Sequence, residues 1–545
     1  MSEPSDSRLL RRFREVATRH ARRPCCSDAR ESATFLQVDE AARRLALGLA
    51  GRAPRGERVA LLAPASCRWV QAFWGILQAG HLLVPLTEHH PPAEHARALA
   101  AARVTRLLIS SELKQRATDA LRMHRQVYPS AAPVELVELE ALLCESLDPT
   151  NLPARVEGHE PAVLFFTSGT TAEPKRAVVS HDQLEALARL VGQAWGMTER
   201  DRLLHCLPLH HTHGLSIAFV VCALAGASQH FLARFVAEDV WRGFESSSVF
   251  MGVPTMHKRL LDTFAAQPEE VRSLWQSFAQ RQRLITSGSA SLPESLALGW
   301  QRLTGKIPLE RFGMTEVGVA LSNPLLGERR AGSCGQTLPG MQVRIVDDQG
   351  GDVAPGQPGE IWIRGPSVFS GYDGDDAATA RSFSDGWFKS GDTALWLCDG
   401  FVKILGRTSV DIIKSGGYKI SALEIEEALR RYPEIEDAAV VGLPDDDWGQ
   451  RVVAAVVAAR PIETEALRES LKQELAGYKV PRDIIQVEAL PRNALGKVTK
   501  PVLRERLSLP ASQSSERNGR EHQASVPPSN IPVAAAQRQV DDDET

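Results

Sequence analysis

The chain contains no run of about 18 apolar residues, so no segment reads as a membrane-spanning helix. It also contains no CxxC pair. Its eight cysteines (25, 26, 67, 144, 206, 222, 334 and 398) are scattered over 545 residues, with only Cys25 and Cys26 close together. Zinc ribbons and a disulfide scaffold are therefore poor readings, and a reducing compartment is expected. An excess of one charge is missing too: 63 Lys plus Arg stand against 67 Asp plus Glu, a formal net charge of −4. That balance gives no support for a general nucleic-acid binder or a protein drawn to anionic membranes. Aromatic residues make up 6%, but 43% apolar and 24% charged residues are an ordinary globular composition, sufficient for a large core. At roughly 150 residues per domain the length suggests three to four folding units. No internal repeat is present.

The two ends differ from the rest. Acids are few in the first 24 residues, whereas Arg11, Arg12, Arg14, Arg19, Arg22 and Arg23 are all there, and Leu9, Leu10, Phe13, Val16 and Ala17 share one helical face. An Arg-rich amphipathic segment is the pattern of a mitochondrial address. Glu3, Asp6 and Glu15 favour the plainer reading, a first surface helix of the folded domain. The expected location is the cytoplasm, with the mitochondrial matrix as the alternative if the segment is an address. From residue 510 onward Ser, Gln, Pro and Ala dominate and no aromatic residue occurs. Such a segment cannot bury enough apolar surface to offset its ordering entropy, and a disordered tail is expected.

Between the ends, short apolar runs alternate with helical patterns. Residues 59–63, 106–109, 162–166 and 283–286 read as strands, and 39–50 and 69–79 as helices, with Trp69, Phe73 and Trp74 as core. Alternation of this kind predicts an α/β fold of mainly parallel sheets with helices. From Gln342 the strands shorten and glycines multiply, which indicates a β-rich subdomain. After Gly406 about 100 residues carry a helix (422–432) and strands (438–441, 452–457), enough for a small separate α+β domain. The expected division is a large N-terminal domain at 1–406, a small mobile domain at 407–508 and a tail at 509–545.

Four segments carry chemistry. Thr167-Ser168-Gly169-Thr170-Thr171-Ala172-Glu173-Pro174-Lys175 follows an apolar strand and offers hydroxyl, N–H and ammonium donors that suit phosphate oxygens. It does not fit GxxxxGK[ST], which removes the ordinary nucleoside-triphosphatase loop. Alone, such a cluster is a solvated turn; the strand and the lysine shift that balance. Arg311-Phe312-Gly313-Met314-Thr315-Glu316, after a short strand at 307–310, sets a hydroxyl beside a carboxylate, a pair able to hold phosphate and Mg²⁺, or else a strand end with a helix cap. Gly386-Trp387-Phe388-Lys389-Ser390-Gly391-Asp392 puts an acid on a glycine turn, followed by Gly406-Arg407 and Lys414-Ser415-Gly416-Gly417-Tyr418-Lys419. On its own that acid is a turn-former. The last, Pro491-Arg492-Asn493-Ala494-Leu495-Gly496-Lys497, ends in a Gly-Lys turn, where a lysine is ordinarily just solvated.

In this order and spacing the segments are no longer independent. From about residue 8 to 508 the chain resembles the adenylate-forming acyl-CoA synthetase family of AMP-binding enzymes. Within that family it is most similar to malonyl-CoA synthetases of the acyl-CoA synthetase family member 3 type. Leu207-Pro208-Leu209-His210-His211-Thr212-His213-Gly214, Ser287-Gly288-Ser289-Ala290, Gly406-Arg407-Thr408-Ser409-Val410-Asp411-Ile412-Ile413-Lys414 and Trp448-Gly449-Gln450-Arg451 carry the narrower likeness.

The resemblance implies an acid–thiol ligase using ATP, Mg²⁺ and CoA. It makes Thr167, Ser168, Gly169, Thr170, Thr171 and Lys175 the phosphate loop, Thr315 a contact to the α-phosphate and Glu316 the Mg²⁺ ligand. Asp392 would hold the ribose, with Arg407 beside the nucleotide. Lys497 would be the lysine of adenylation, Gly417 and Lys419 part of the thioester-stage surface, and His211 the gate between acyl site and CoA tunnel. The chemistry agrees: a carboxylate is a poor electrophile until AMP supplies a leaving group, and the in-line step gathers negative charge that cations and oriented N–H groups must meet. A small domain that changes surfaces between the half-reactions suits both steps.

Two residues depart from the family pattern: Ala172 and Arg176 stand where glycine is usual. Ala172 loses easy access to positive φ, and Arg176 brings a cation near the phosphates or points into water. His205, His210, His211 and His213 suggest a metal site, but no Cys or carboxylate completes one, and a gate with packed loop histidines is the better reading. The expected substrate is a small-molecule carboxylic acid, malonate or methylmalonate. Its second carboxylate requires a cation, preferably an arginine fork, with Arg283 as candidate and Arg234 and the histidines behind it. A surface arginine at a strand start is the plain alternative for Arg283. The rival functions are a medium- or long-chain fatty acid ligase, transfer to a carrier protein rather than CoA, and a nucleotide-binding pseudoenzyme.

Overall fold

The computed structural model describes residues 7–52, 55–144, 155–167, 174–397, 399–416, 418–492 and 498–508. The chain divides into two compact units, Met1–Ile412 and Ile413–Thr545.

Two sheets organise the first unit. In one, the strands run in the order Gly371–Tyr372, Lys175–Ser180, Pro161–Thr167, Leu82–Pro85, Arg58–Leu62, Arg106–Ile109, Glu135–Glu138. The other holds Leu309–Phe312, Leu284–Ser287, Val249–Gly252, Arg202–His205 and Ser228–Phe231 as consecutive neighbours. Pairing is parallel through the middle of both sheets and at the Glu135–Glu138 edge of the first; it is antiparallel at the Gly371–Tyr372 end of the first and beyond Leu309–Phe312 in the second. Central strands such as Arg106–Ile109 and Val249–Gly252 are buried along their whole length, which is why they read as unbroken apolar runs rather than alternating ones. Gln342–Val346, Gly359–Arg364, Trp387–Trp396 and Val402–Arg407 build the β-rich part. The fold is α/β with mainly parallel sheets and a β-rich subdomain.

The helix Cys67–Gln78 shows why the core is large. Its Ser66 cap accepts the Trp69 N–H, and every residue except Arg68 is buried, as expected of a helix apolar on all sides. Trp74 stacks on Phe13 at 3.8 Å, and Trp69 and Phe73 meet Phe219 edge-on at 5.7 and 5.0 Å. Phe13 comes from the arginine-rich helix Arg8–Arg19, whose Leu9, Leu10, Phe13, Val16 and Ala17 are all buried. That segment is an integral part of the folded unit.

The second unit has cores of its own. Ile425, Ala428 and Leu429 of the helix Ala422–Leu429 pack on Ala438, Val440, Val452 and Ala454 of the hairpin Asp437–Asp445 and Gly449–Val457. Leu503 joins Ala439, Val441 and Val453 on the other face. No helix among the described residues is long and apolar enough to cross a membrane.

One strand lies two residues later than the sequence suggests. It runs from Leu309 to Phe312 instead of 307–310, because Pro308 has no N–H to give a ladder. The shift puts Arg311 inside a sheet.

Candidate active site

A hairpin in the first sheet forms one wall. Pro161–Thr167 turns back into Lys175–Ser180 with Thr167 opposite Lys175. Of the expected phosphate loop these two residues are described, both half-buried, while Ser168, Gly169, Thr170, Thr171 and Ala172 lie outside the described residues. Strand alternation sends neighbours to opposite faces. Lys175 sets its Nζ 4.5 Å from the centre of the Tyr372 ring. Arg176 goes the other way and closes, together with Arg58 and Arg103, on the carboxylate of Asp373 at 3.3, 2.7 and 3.5 Å. Arg176 is thus a strut to Asp373, not a side chain pointing into water.

Tyr372 links this wall to the second segment. It pairs with Ala177 across the short strand Gly371–Tyr372, and its Oη donates to Glu316 Oε1 at 2.9 Å. Burial first, then the Glu316 carboxylate, push the phenol's pKa up, so the group remains a donor; Arg407 acts on it in the opposite sense. Thr315 and Glu316 sit on a turn closed by the N–H groups of Val317 and Gly318 onto the Met314 carbonyl at 3.1 and 2.8 Å. Gly313 is required there, since a Cβ would collide with the Gly318 carbonyl. Glu316 is 6% exposed. With one oxygen held by Tyr372, its other oxygen is a hard donor of the kind Mg²⁺ takes.

Asp392 and Arg407 face each other across paired strands. Arg407 Nε lies 3.4 Å from Asp392 Oδ1, its Nη1 donates to the Ser390 carbonyl at 2.5 Å, and the Asp392 N–H donates to Ser390 Oγ at 3.0 Å. The predicted pair is therefore held as a unit, close enough to Tyr372 for the arginine's charge to be felt. In the second unit, Lys419 belongs to the strand Tyr418–Ser421, and Gly417 and Lys497 lie outside the described residues.

The histidines occupy one loop and the turn after it. His213 opens a π-helical segment, His213–Val220, a wide turn of the sort found at functional sites, and its Nδ1 is 3.0 Å from Ser289 Oγ. His205 Nε2 donates to the Gly214 carbonyl at 3.0 Å. The rings of His210 and His211 are 4.0 Å apart, with His90 5.6 Å from His210. Burial, then the neighbouring His90, hold His211 down at about 4. Burial, then Arg311, hold His213 well below the usual range. Both are neutral imidazoles at neutral pH.

Arg283 does not fit the role expected of it. Its Nε and Nη2 make two 2.8 Å bonds to the Asp201 carboxylate, and Nη1 donates to the Trp195 carbonyl at 2.9 Å. Its fork is already filled by a carboxylate. It also stands before the first residue of Leu284–Ser287, whereas ligands of parallel sheets gather at the carboxyl ends of strands.

The arginine that sequence reasoning missed is Arg311. It is 4% exposed, and its Nε and Nη2 bond no other described atom. Burial lowers its pKa to about 10, which leaves it charged at neutral pH. Leaving such a cation buried and unpaired is costly. Gly288 makes room for it, since a Cβ there would collide with the guanidinium. Thr286 shares the face of Gly288 by strand parity, and its Oγ1 and His213 Nε2 are likewise buried without a partner among the described residues. The positive φ of 68° at Ser289, unusual outside glycine, marks strain at the same edge. The signal in the sequence was an arginine between the apolar strand residues Leu309 and Phe312, at a position where charge needs a partner.

Residues 13–373 match the AMP-binding enzyme family and residues 424–497 the AMP-binding enzyme C-terminal domain. The mitochondrial malonate–CoA ligase ACSF3 of Mus musculus is 39% identical over 494 residues, spanning 84% of this chain and 83% of that protein. Among solved structures, ATP-bound MatB from Rhodopseudomonas palustris aligns with a TM-score of 0.82 at 30% identity, covering 92% of this chain and 99% of the other. The O-succinylbenzoate CoA synthetase MenE from Bacillus subtilis, in complex with ATP and magnesium ion, aligns with a TM-score of 0.78 at 27% identity, over 90% and 99%.

Proposed function

Because the chain belongs to the AMP-binding enzyme family, we propose that it is an ATP-dependent acid–thiol ligase joining malonate, or its methyl homologue, to CoA through an acyl-AMP. One observation supports the choice of acid: Arg311 is a buried cation with no carboxylate partner among the described residues. Malonate brings a second carboxylate that stays ionised while the first reacts, and an arginine fork receives it with two parallel hydrogen bonds. A fatty acid would leave the guanidinium facing an alkyl chain, at the cost of an unpaired buried charge.

Roles for the other residues follow from charge. Thr167, Ser168, Gly169, Thr170, Thr171 and Lys175 would surround the phosphates, and Asp392, steadied by Arg407, would accept from the ribose hydroxyls. Thr315 would contact the α-phosphate, and Glu316 would hold Mg²⁺, which when bound neutralises phosphate oxygens. Lys497 would bridge the reacting carboxylate and the α-phosphate. His211, neutral and half-buried, would gate the path of the thiol without repelling or binding it. Gly417 and Lys419 would serve the thioester stage. The arginine-rich helix Arg8–Arg19 is spent on packing, which supports reading it as part of the folded domain.

The test is ATP–pyrophosphate exchange with malonate, methylmalonate, butyrate and octanoate. Malonate or methylmalonate should exchange fastest by at least tenfold. Preference for octanoate would refute the dicarboxylate reading, and no exchange with any acid would point to a pseudoenzyme. Supplying CoA or a phosphopantetheinyl carrier protein afterwards identifies the acceptor; the proposal requires CoA.

A further inference from the structure

We propose that Tyr372 is a positioning residue that presents Glu316 to the metal and parks Lys175 until phosphate arrives; this rests on the reading that Glu316 takes Mg²⁺ with ATP. Three observations converge on one ring. Its hydroxyl donates to Glu316 Oε1 at 2.9 Å, its face carries the Lys175 ammonium at 4.5 Å, and its backbone is paired to the strand that Lys175 begins, through Ala177. Tyr372 is itself 7% exposed and is wedged edge-on against Phe369 at 4.9 Å. The ring therefore has little freedom, and both contacts inherit its rigidity.

The two contacts are chemically coupled. A phenol that donates to a carboxylate gains electron density, which strengthens the attraction of its face for a cation. With the Glu316 carboxylate engaged by Tyr372, Lys175 is held on the ring. A cation drawing electrons from Glu316 weakens the phenol's hydrogen bond and hence the hold on Lys175, freeing the ammonium as phosphate comes within reach. The backbone adds a second restraint, because the Phe369 N–H donates to the Glu316 carbonyl at 2.7 Å. The segment that supplies Tyr372 thus grips Glu316 by main chain and side chain together. Glu316, left to rotate, would lose the orientation that an outer hydrogen bond gives a metal ligand.

The experiment is calorimetric binding of ATP to the full chain, with and without Mg²⁺ and with no acid present, for wild type, Y372F, Y372L, E316Q and Y372F/E316Q. Thermal unfolding of each variant accompanies it. Y372F removes only the hydroxyl. It should weaken the Mg²⁺-dependent part of ATP binding by 10- to 100-fold, the range for lost support of a metal ligand. Its binding without Mg²⁺ should stay within twofold of wild type, and its Tm should stay nearly unchanged. Y372L also frees Lys175, and should tighten Mg²⁺-free binding two- to fivefold, the worth of an exposed cation–π contact. The double variant should be no worse than E316Q, since both changes act on one interaction. An unchanged Mg²⁺ dependence in Y372F beside an impaired E316Q overturns the role of Tyr372 alone. An unchanged Mg²⁺ dependence in E316Q overturns the assignment of Glu316 itself.

Discussion

Arg311 and Arg283 show what a single residue reveals and conceals. Both are arginines at strands that border the expected acyl site, and the sequence alone favours Arg283 because it precedes Leu284–Ser287. The decisive difference is which end of a strand each occupies and what already bonds it, and neither is written in residue type. Arg283 answers to Asp201, 82 residues earlier in the chain, while Arg311 answers to no described atom. Likewise the family departure at Arg176 was legible, but its partner Asp373 was not. Two substitutions test the acid site. Arg311→Met should cost malonate about 2–5 kcal/mol in kcat/KM, the range for a lost buried charge pair, with butyrate much less affected. Gly288→Ala should act in the same direction by displacing the guanidinium its Cβ would meet. Equal losses on both acids would remove Arg311 from substrate choice.

At the scale of elements, apolar runs were reliable guides: 106–109 is a strand to the residue, and 162–166 and 283–286 are strands within one. The π-helical segment His213–Val220 was not legible. Its composition suits an ordinary helix, and the wider turn belongs to a segment buried at every residue, whose backbone follows its surroundings. The same elements hide a pH liability. His181 opens the helix His181–Ala194, His205 ends the strand Arg202–His205, and His257 lies within Pro254–Ala265. Burial lowers their pKa values to about 3, about 4 and about 4. The unfolded chain takes up protons near pH 6.5 and the folded chain only near 3 to 4, so stability is full above 6.5 and declines as pH falls between the two. Each histidine contributes a slope of up to about 1.4 kcal/mol per pH unit in that window. Scanning calorimetry from pH 7 to 5 should show a falling Tm, and His257→Gln should flatten the slope. A Tm constant across that range would contradict the burial of neutral imidazoles.

For the whole molecule, the separate cores of Met1–Ile412 and Ile413–Thr545 are the governing fact. The expected position of Lys497 in the second unit gives a kinetic test. Lys497→Ala should reduce acyl-AMP formation by several orders of magnitude, while thioester formation from supplied acyl-AMP is largely kept. Equal damage to both half-reactions would show that the lysine serves both. The two cores also bear on descent. Arg311, Thr286 and Gly288, on which the choice of acid is proposed to rest, all lie before residue 412. A genetic crossover near that seam would carry each core over intact, whereas one inside either unit would split a packed interior. Lineages of such proteins can therefore inherit a new acid preference and an old C-terminal unit by a single recombination, with no repair of either interior afterwards.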